Sequence, residues 1–153
     1  MNIEEATIND AEHILNLQKI AYQSEARRYN DYTLPPLMQT LDEIQADFKK
    51  QFFLKAMISG TIIGSVRAYI ENGTCFIGRL IVHPDHQNQG IGTKLIHHIE
   101  DRFNNANRFE LFTGQKSEEA LYLYNKFGYT KFKDKRLSTH NIVFLEKLSH
   151  KKT

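Results

Sequence analysis

The apolar positions of the chain change period several times, and each change marks an element. Residues 3–7 read as a short strand. Ile14, Leu17 and Ala21, with Leu15 and Tyr22 beside them, recur at three- and four-residue spacing and predict an amphipathic helix. Asn9 or Asp10 is placed to cap it, and Asn9 followed by Glu12 has the spacing of a capping box. Pro35-Pro36 predicts the break of that helical segment, because proline lacks the N–H a helix interior needs. Leu41, Ile44 and Phe48 then share one face of a second helix, with Thr40 as its cap and Glu43 three residues on.

Three strand-like runs follow. "FFLKAMI" closes at Ser59-Gly60, "IIGSVRAYI" closes at Asn72-Gly73, and "CFIGRLIV" ends at His83-Pro84. Asn-Gly between two apolar runs is a strong hairpin signal, so the three strands form an antiparallel meander. The period then lengthens again: Leu95, Ile96, Ile99 and Phe103 mark a third helix. "RFELF" predicts a strand, and Ser117 to Phe127 a helix stopped by Gly128. "YTKFK" and "NIVFLEKL" close the chain as two more strands. Seven strands and four helices in this order describe a mixed α/β (α+β) fold. Residues 1–153 read as a single domain without repeat or linker.

Composition narrows the picture. At 153 residues, 41% hydrophobic and 25% charged, the chain has enough apolar surface for one folded core. A formal net charge of +2, with Lys and Arg scattered among 18 acids, argues against a nucleic-acid partner. One cysteine, Cys75, leaves no intramolecular disulfide and no CxxC zinc site. His83 and His86 read as solvated loop residues, because Pro84 between them prevents a helical ligand pair, and no metal is expected. No run of about 18 apolar residues exists, so no membrane span is expected, and the N-terminus lacks the apolar stretch of a signal peptide. The expected location is the cytoplasm. The basic tail "KLSHKKT" reads as a solubilising end.

The candidate chemistry lies in "VHPDHQNQGIGTKLIHHIED", residues 82–101, where Gly90 and Gly92 stand at a helix start. Glycine there costs backbone entropy, and Ser, Thr, Asp or Asn are the usual caps. A helix N-terminus carries N–H groups without intrahelical partners and the positive end of the helix dipole. Those groups can cradle a phosphate or pyrophosphate where no Cβ blocks its approach. By itself the fragment fits equally a plain strand-to-helix turn, and it is neither GxGxxG nor GxxxxGK[ST].

Two motifs together carry a resemblance. Gln87-Asn88-Gln89-Gly90-Ile91-Gly92 after the strand Leu80-Ile81-Val82 is similar to the acyl-coenzyme A motif of the GNAT acetyltransferase superfamily. "EEALYLYNKFGYTKF", with Ala120, Leu123, Tyr124, Lys126, Gly128 and Tyr129, resembles that family's helix-to-strand segment. One departure is Ser117, which stands where the family often has Asn.

The resemblance implies a mostly antiparallel twisted sheet and transfer of an acetyl group from acetyl-CoA to an amine without a covalent enzyme intermediate. It implies that the pyrophosphate lies over the N–H groups of Asn88 to Thr93, with Gln87, Gln89 and Ile91 in the same loop. The pantetheine arm pairs with Leu80, Ile81 and Val82 as an added strand would, and Val82 supplies the N–H facing the thioester carbonyl. Tyr124 is the expected general acid for the departing thiolate, and Ser117 a further cofactor contact. The acceptor amine, of a small molecule or a protein, is expected among Tyr22, Glu25, Tyr29 and Tyr32, because aromatics and carboxylates suit a cation. Its general base has no assignment: Glu71, Glu110 and His140 read as structural or solvated. The competing expectation is a catalytically silent CoA-binding sensor or partner-binding module of the same fold. Exposed aromatics near the last strands are compatible with a homodimer.

Overall fold

Positive-φ turns set the punctuation of the sheet. Ser59-Gly60 adopts φ of 50° and 78°, and Asn72-Gly73 φ of 50° and 81°. Two consecutive left-handed residues match the twist of a two-residue hairpin, which is why Asn-Gly and Ser-Gly stand there. The turns fold β2 (Phe52–Ile58), β3 (Thr61–Glu71) and β4 (Thr74–Val82) into the expected meander. The computed structural model describes residues 1–149, so His150 to Thr153 of the basic tail lie outside the described residues. With β1 (Asn2–Glu5), β5 (Arg108–Gly114), β6 (Thr130–Arg136) and β7 (Asn141–Leu148) the sheet has seven strands in the order β1-β2-β3-β4-β5-β7-β6. Only the β4–β5 pairing is parallel.

Helices cover both faces of the sheet. On one, α1 (Ala11–Ala21) and α4 (Leu41–Phe48) bury Ala11, Ile14, Leu15 and Ile44 against Phe53. On the other, α5 (Ile91–Arg102) buries its stripe Ile91, Leu95, Ile96 and Ile99 against Val66, Cys75 and Ile77. Each such aliphatic side chain contributes about 1.5–3 kcal/mol, so the start of α5 is held firmly against the sheet. The helix α6 (Glu118–Lys126) joins the same core through Tyr124 and is stopped by Gly128 at φ 92°. Among the described residues no helix is long and apolar enough to cross a membrane.

Two local expectations are corrected. The Asn9–Glu12 capping box is not made: the Thr7 N–H donates to Asp10 Oδ2 at 2.9 Å, and a 3-10 turn over Ile8–Asp10 precedes α1. The first helical segment also ends before the prolines. It stops at Ala21, α2 (Gln23–Tyr29) starts at an angle, and Asn30 at φ 49° ends it. Pro35 instead begins a short helix, α3 (Pro35–Met38), since a first-turn residue has no intrahelical N–H bond to lose. The two N-terminal helices expected are therefore four segments. The Thr40–Glu43 box is present, with bonds of 2.9 and 3.2 Å.

What positions the site is a split in the middle of the sheet. β4 and β5 pair only at Thr74–Arg108, Cys75–Phe109 and Phe76–Glu110. Beyond Phe76 they diverge. β4 carries a bulge there: Ser65 pairs with Ile81 and Arg67 with Gly78, so Arg79 and Leu80 together face Val66. Arg79 has φ 50°, and a bulge of this kind bends its strand away from the partner.

Candidate active site

The slot between β4 and β5 exposes strand backbone on one side. His83 N–H donates to Ile63 O at 2.8 Å, toward β3. Because N–H groups alternate along a strand, the N–H of Val82 points the other way, into the slot. At the wide end of the slot the chain makes a 3-10 turn over Pro84–His86 and passes through Asn88 (φ 63°) and Gly90 (φ 78°) into α5. Lys94 N–H is the first to close the helix, on Gly90 O at 3.1 Å. The N–H groups of Gln87 to Thr93 find no acceptor among the described residues. Gln87, Asn88, Gln89 and Gly90 are exposed, so these donors face solvent.

The two glycines differ in what requires them. Gly90 is left-handed, and a Cβ there would meet nothing within 4 Å, so backbone conformation selects it. At Gly92 a Cβ would touch Leu123 Cδ2 at 3.6 Å and Leu80 Cδ2 at 3.7 Å, ordinary contacts with the two walls of the slot. Packing of the protein does not demand that glycine. A ligand threading between those walls would.

Tyr124 projects from α6 toward the split. It is 8% exposed, its ring lies 6.2 Å from that of Tyr129, and its hydroxyl makes no hydrogen bond among the described residues. Burial raises its pKa, and Tyr22 and Glu25 raise it further. The phenol is therefore protonated and available to an incoming acceptor. Tyr129 contrasts with it: its hydroxyl is spent on Glu100 Oε2 at 2.8 Å.

Tyr22 and α2 approach from the other face of the sheet. Tyr22 is half-buried, and its pKa is raised by burial. Ser117 is 1% exposed and donates to Glu25 Oε2 at 2.7 Å. Tyr29 Oη lies 2.8 Å from Ser117 Oγ and accepts the Lys116 N–H at 2.9 Å. The Tyr29 ring stacks on His140 at 4.1 Å. Glu25 Oε1 pairs with Arg28. Glu25, Ser117 and Tyr29 thus form one hydrogen-bonded group, and the Glu25 charge reaches both Tyr22 and Tyr124. Tyr32 is outside it, 54% exposed and without a contact to the others. The Ser117 hydroxyl is turned inward to Glu25 and Tyr29, on the acceptor side of the slot.

The remaining candidates sit elsewhere. Cys75 is buried in the core, and burial pushes its thiol up to about 12. Glu110 is paired with Arg108 at 2.9 Å, and Glu71 is exposed at a hairpin end. His83 Nδ1 accepts the Asp85 N–H at 3.1 Å. Among the described residues no group of three or more His, Cys, Asp or Glu could hold a metal ion.

Sequence reasoning missed a polar network beside the slot. Arg67, 4% exposed, donates to Asp47 Oδ2 and Gln18 Oε1, both at 2.8 Å. Gln39 Nε2 donates to Asp47 Oδ2 at 2.7 Å, and Gln39 Oε1 accepts from Arg79 at 2.7 Å and Gln18 at 3.0 Å. Its members come from α1, the end of α3, α4, β3 and β4, so no local spacing announces them.

Comparison with known proteins places this arrangement. The family model described as Acetyltransferase (GNAT) family matches residues 12–129. A Bacillus subtilis protein, UPF0157 protein YqkA, is 31% identical over 128 residues, 84% of this chain. The chain spans only 36% of that relative's length. The ribosomal-protein-S18-alanine N-acetyltransferase of Escherichia coli superposes with a TM-score of 0.83 at 13% identity, over 99% of this chain and 96% of that one. The putative acetyltransferase yncA of Salmonella typhimurium, solved with its cofactor acetyl-CoA, gives 0.78 at 16% identity, over 100% and 96%.

Proposed function

This chain belongs to the GNAT acetyltransferase family, and from that premise we propose that it moves the acetyl group of acetyl-CoA to a primary amine by direct attack in a ternary complex. One observation carries the reading. Beyond Phe76 the β4 edge has no β5 partner and leads to an exposed amide loop at Gln87–Thr93, whose N–H groups have no acceptor among the described residues.

The residues fit the cofactor's chemistry. The diphosphate suits the N–H groups of Asn88 to Thr93, which have no acceptor among the described residues and stand at the positive end of α5. Thr93 adds a hydroxyl, and Gln87 and Gln89 flank the loop. Leu80, Ile81 and Val82 offer the strand edge that suits an amide-bearing arm. Ser117 is too deeply engaged by Glu25 and Tyr29 to add a direct contact without rearranging.

When bound, acetyl-CoA supplies an activated thioester. The Val82 N–H donates to the thioester oxygen, where negative charge grows as the amine attacks. Tyr22 and Glu25 hold the amine, and Glu25 is the carboxylate whose field reaches both Tyr22 and Tyr124. Tyr124 would give its proton to the sulfur as the carbon–sulfur bond breaks, and the nitrogen, in becoming an amide, would return a proton to the phenolate. A free thiol has a pKa of about 8.5 and a phenol about 10, so that transfer would run uphill in water. In the slot both anions lose solvent, so burial raises both pKa values and bears less on their difference.

The test is a thiol-release assay with a panel of amines, alongside calorimetry with CoA. Turnover on at least one amine supports the reading. Tight CoA binding with no turnover on any amine would replace it with a CoA-binding sensor.

A further inference from the structure

A guanidinium withdrawn from water needs a partner that returns the lost solvation. Arg67 has one: Asp47 and Gln18 take two of its N–H groups, and the Phe53 ring lies 4.5 Å beneath it. Burial and the neighbouring Arg79 lower its pKa to about 10, which leaves it charged at neutral pH. The Asp47 carboxylate, which also accepts from Gln39, is committed to Arg67.

Arg79 stands in the same network without a carboxylate in contact. It is half-buried, makes one bond to the neutral Gln39 carbonyl at 2.7 Å, and forms no ion pair among the described residues. Its charge reaches the exposed Glu43 carboxylate, but no acid among the described residues closes on its N–H groups. The backbone also holds Arg79 in a left-handed conformation, φ 50°, at the β4 bulge. For a non-glycine residue that conformation carries strain, and bulges re-aim a side chain. The bulge turns this cation to the α1 face of the sheet, beside Tyr22, whose pKa its charge lowers.

Resting on the acetyltransferase reading, we propose that Arg79 binds a carboxylate of the acceptor, so that the acceptor is an amino-acid-like small molecule with its amine between Tyr22 and Glu25. The planar guanidinium fork has N–H groups left for a bidentate carboxylate, which a polycationic acceptor would not match. On the acid side Arg79 has no carboxylate in contact among the described residues, while Glu25 on the amine side is shared with Arg28 and Ser117. A polyamine would set one of its cations against Arg79.

The experiment compares the wild type with Arg79→Gln and Arg79→Lys. Acceptors are the standard amino acids and their matching carboxamides. Thiol release gives kcat and KM, and calorimetry with CoA present gives the affinity for each amino acid. We expect wild type to favour the acids. Arg79→Gln should raise their KM and Kd by about 10–100-fold, with the amides and CoA affinity unmoved and Arg79→Lys intermediate. Preference for amides or polyamines would overturn the assignment. So would an equal fall in kcat for acids and amides, which would place Arg79 at the transferring acetyl group. Arg79-dependent binding of an acid without turnover would leave this site standing while the acetyltransferase reading falls. Acid affinities unchanged in Arg79→Gln would remove the site whatever the turnover.

Discussion

Replacing Tyr124 by Phe separates chemistry from folding more cleanly than any other change in this protein. The hydroxyl has no protein partner among the described residues and the side chain is 8% exposed, so its removal breaks no hydrogen bond. Taking away a hydroxyl that bonds no protein group and keeps access to solvent should leave Tm little changed. If the hydroxyl protonates the sulfur, kcat should fall by about 10²–10⁴, equivalent to roughly 2.7–5.4 kcal/mol. CoA affinity should stay within about threefold, because the diphosphate loop is untouched. Tyr129→Phe is the control. Its hydroxyl donates to Glu100, which also pairs with Lys147 at 3.1 Å, so its loss should cost about 1.5–3 kcal/mol and about 3–12 °C in Tm, with kcat little changed. The pH profile adds a second check. Burial raises the Tyr124 pKa above the ordinary 10.0, so the proton is retained below that pH. The rate should climb as the amine deprotonates and show no descending limb from this phenol up to pH about 10. Thiol-release kinetics and a thermal melt of both variants decide the matter. A Tyr124→Phe enzyme with wild-type kcat would remove this residue from the mechanism.

Three further outcomes follow from the geometry. Gly92→Leu fills the passage between Leu80 and Leu123, and by calorimetry CoA should bind about 10-fold weaker or worse, while Gly92→Ala should fold at least as well as wild type. Gly114→Ala would drive a Cβ into Tyr29 Oη and Cζ. Because that ring is pinned by Ser117, Lys116 and His140, a loss of about 2–4 kcal/mol is expected in denaturant melts, and an unchanged midpoint would contradict it. Cys75 has its pKa raised from 9.0 to about 12 by burial and Glu100, so the native state keeps a proton that the unfolded chain releases. Its contribution to stability is whole below pH 9 and is lost as pH climbs through 9 to 12, and Cys75→Ala should flatten that decline in urea melts taken across the range.

The strand meander could be read from the sequence because its information is local. Asn72-Gly73 adopts the left-handed pair its residue types favour, and the apolar runs on either side have one register that buries them. At the helical entry Asp10, one of the two candidates, is the N-cap of α1, and only the Asn9–Glu12 box fails, for an equally local reason. Asn9 and Asp10 both look like caps, and only the Asp10 bond back to Thr7, with the Lys55 ammonium 3.0 Å away, decides between them. The prolines look like a break, yet the chain turns earlier, at Asn30, because Tyr29 must reach the end of β5 over Gly114.

The same distinction separates the two halves of the site. A diphosphate taken by main-chain N–H groups needs consecutive residues with little side chain in the way, so it leaves a contiguous glycine pattern between Gln87 and Thr93. An acceptor taken by side chains needs only that they converge in space. Glu25 comes from α2, Tyr22 from the end of α1, Arg79 from the β4 bulge and Tyr124 from α6, and their neighbours in sequence carry no trace of the convergence. Tyr124 stands out as a candidate in the sequence because it shares a helix with a recognisable motif, whereas Arg79, three residues before Val82 in the same strand, does not. What marks Arg79 is an arrangement visible only in three dimensions: two buried or half-buried guanidiniums, one carboxylate in contact and that one held by Arg67, and a backbone held left-handed where a strand would ordinarily run straight.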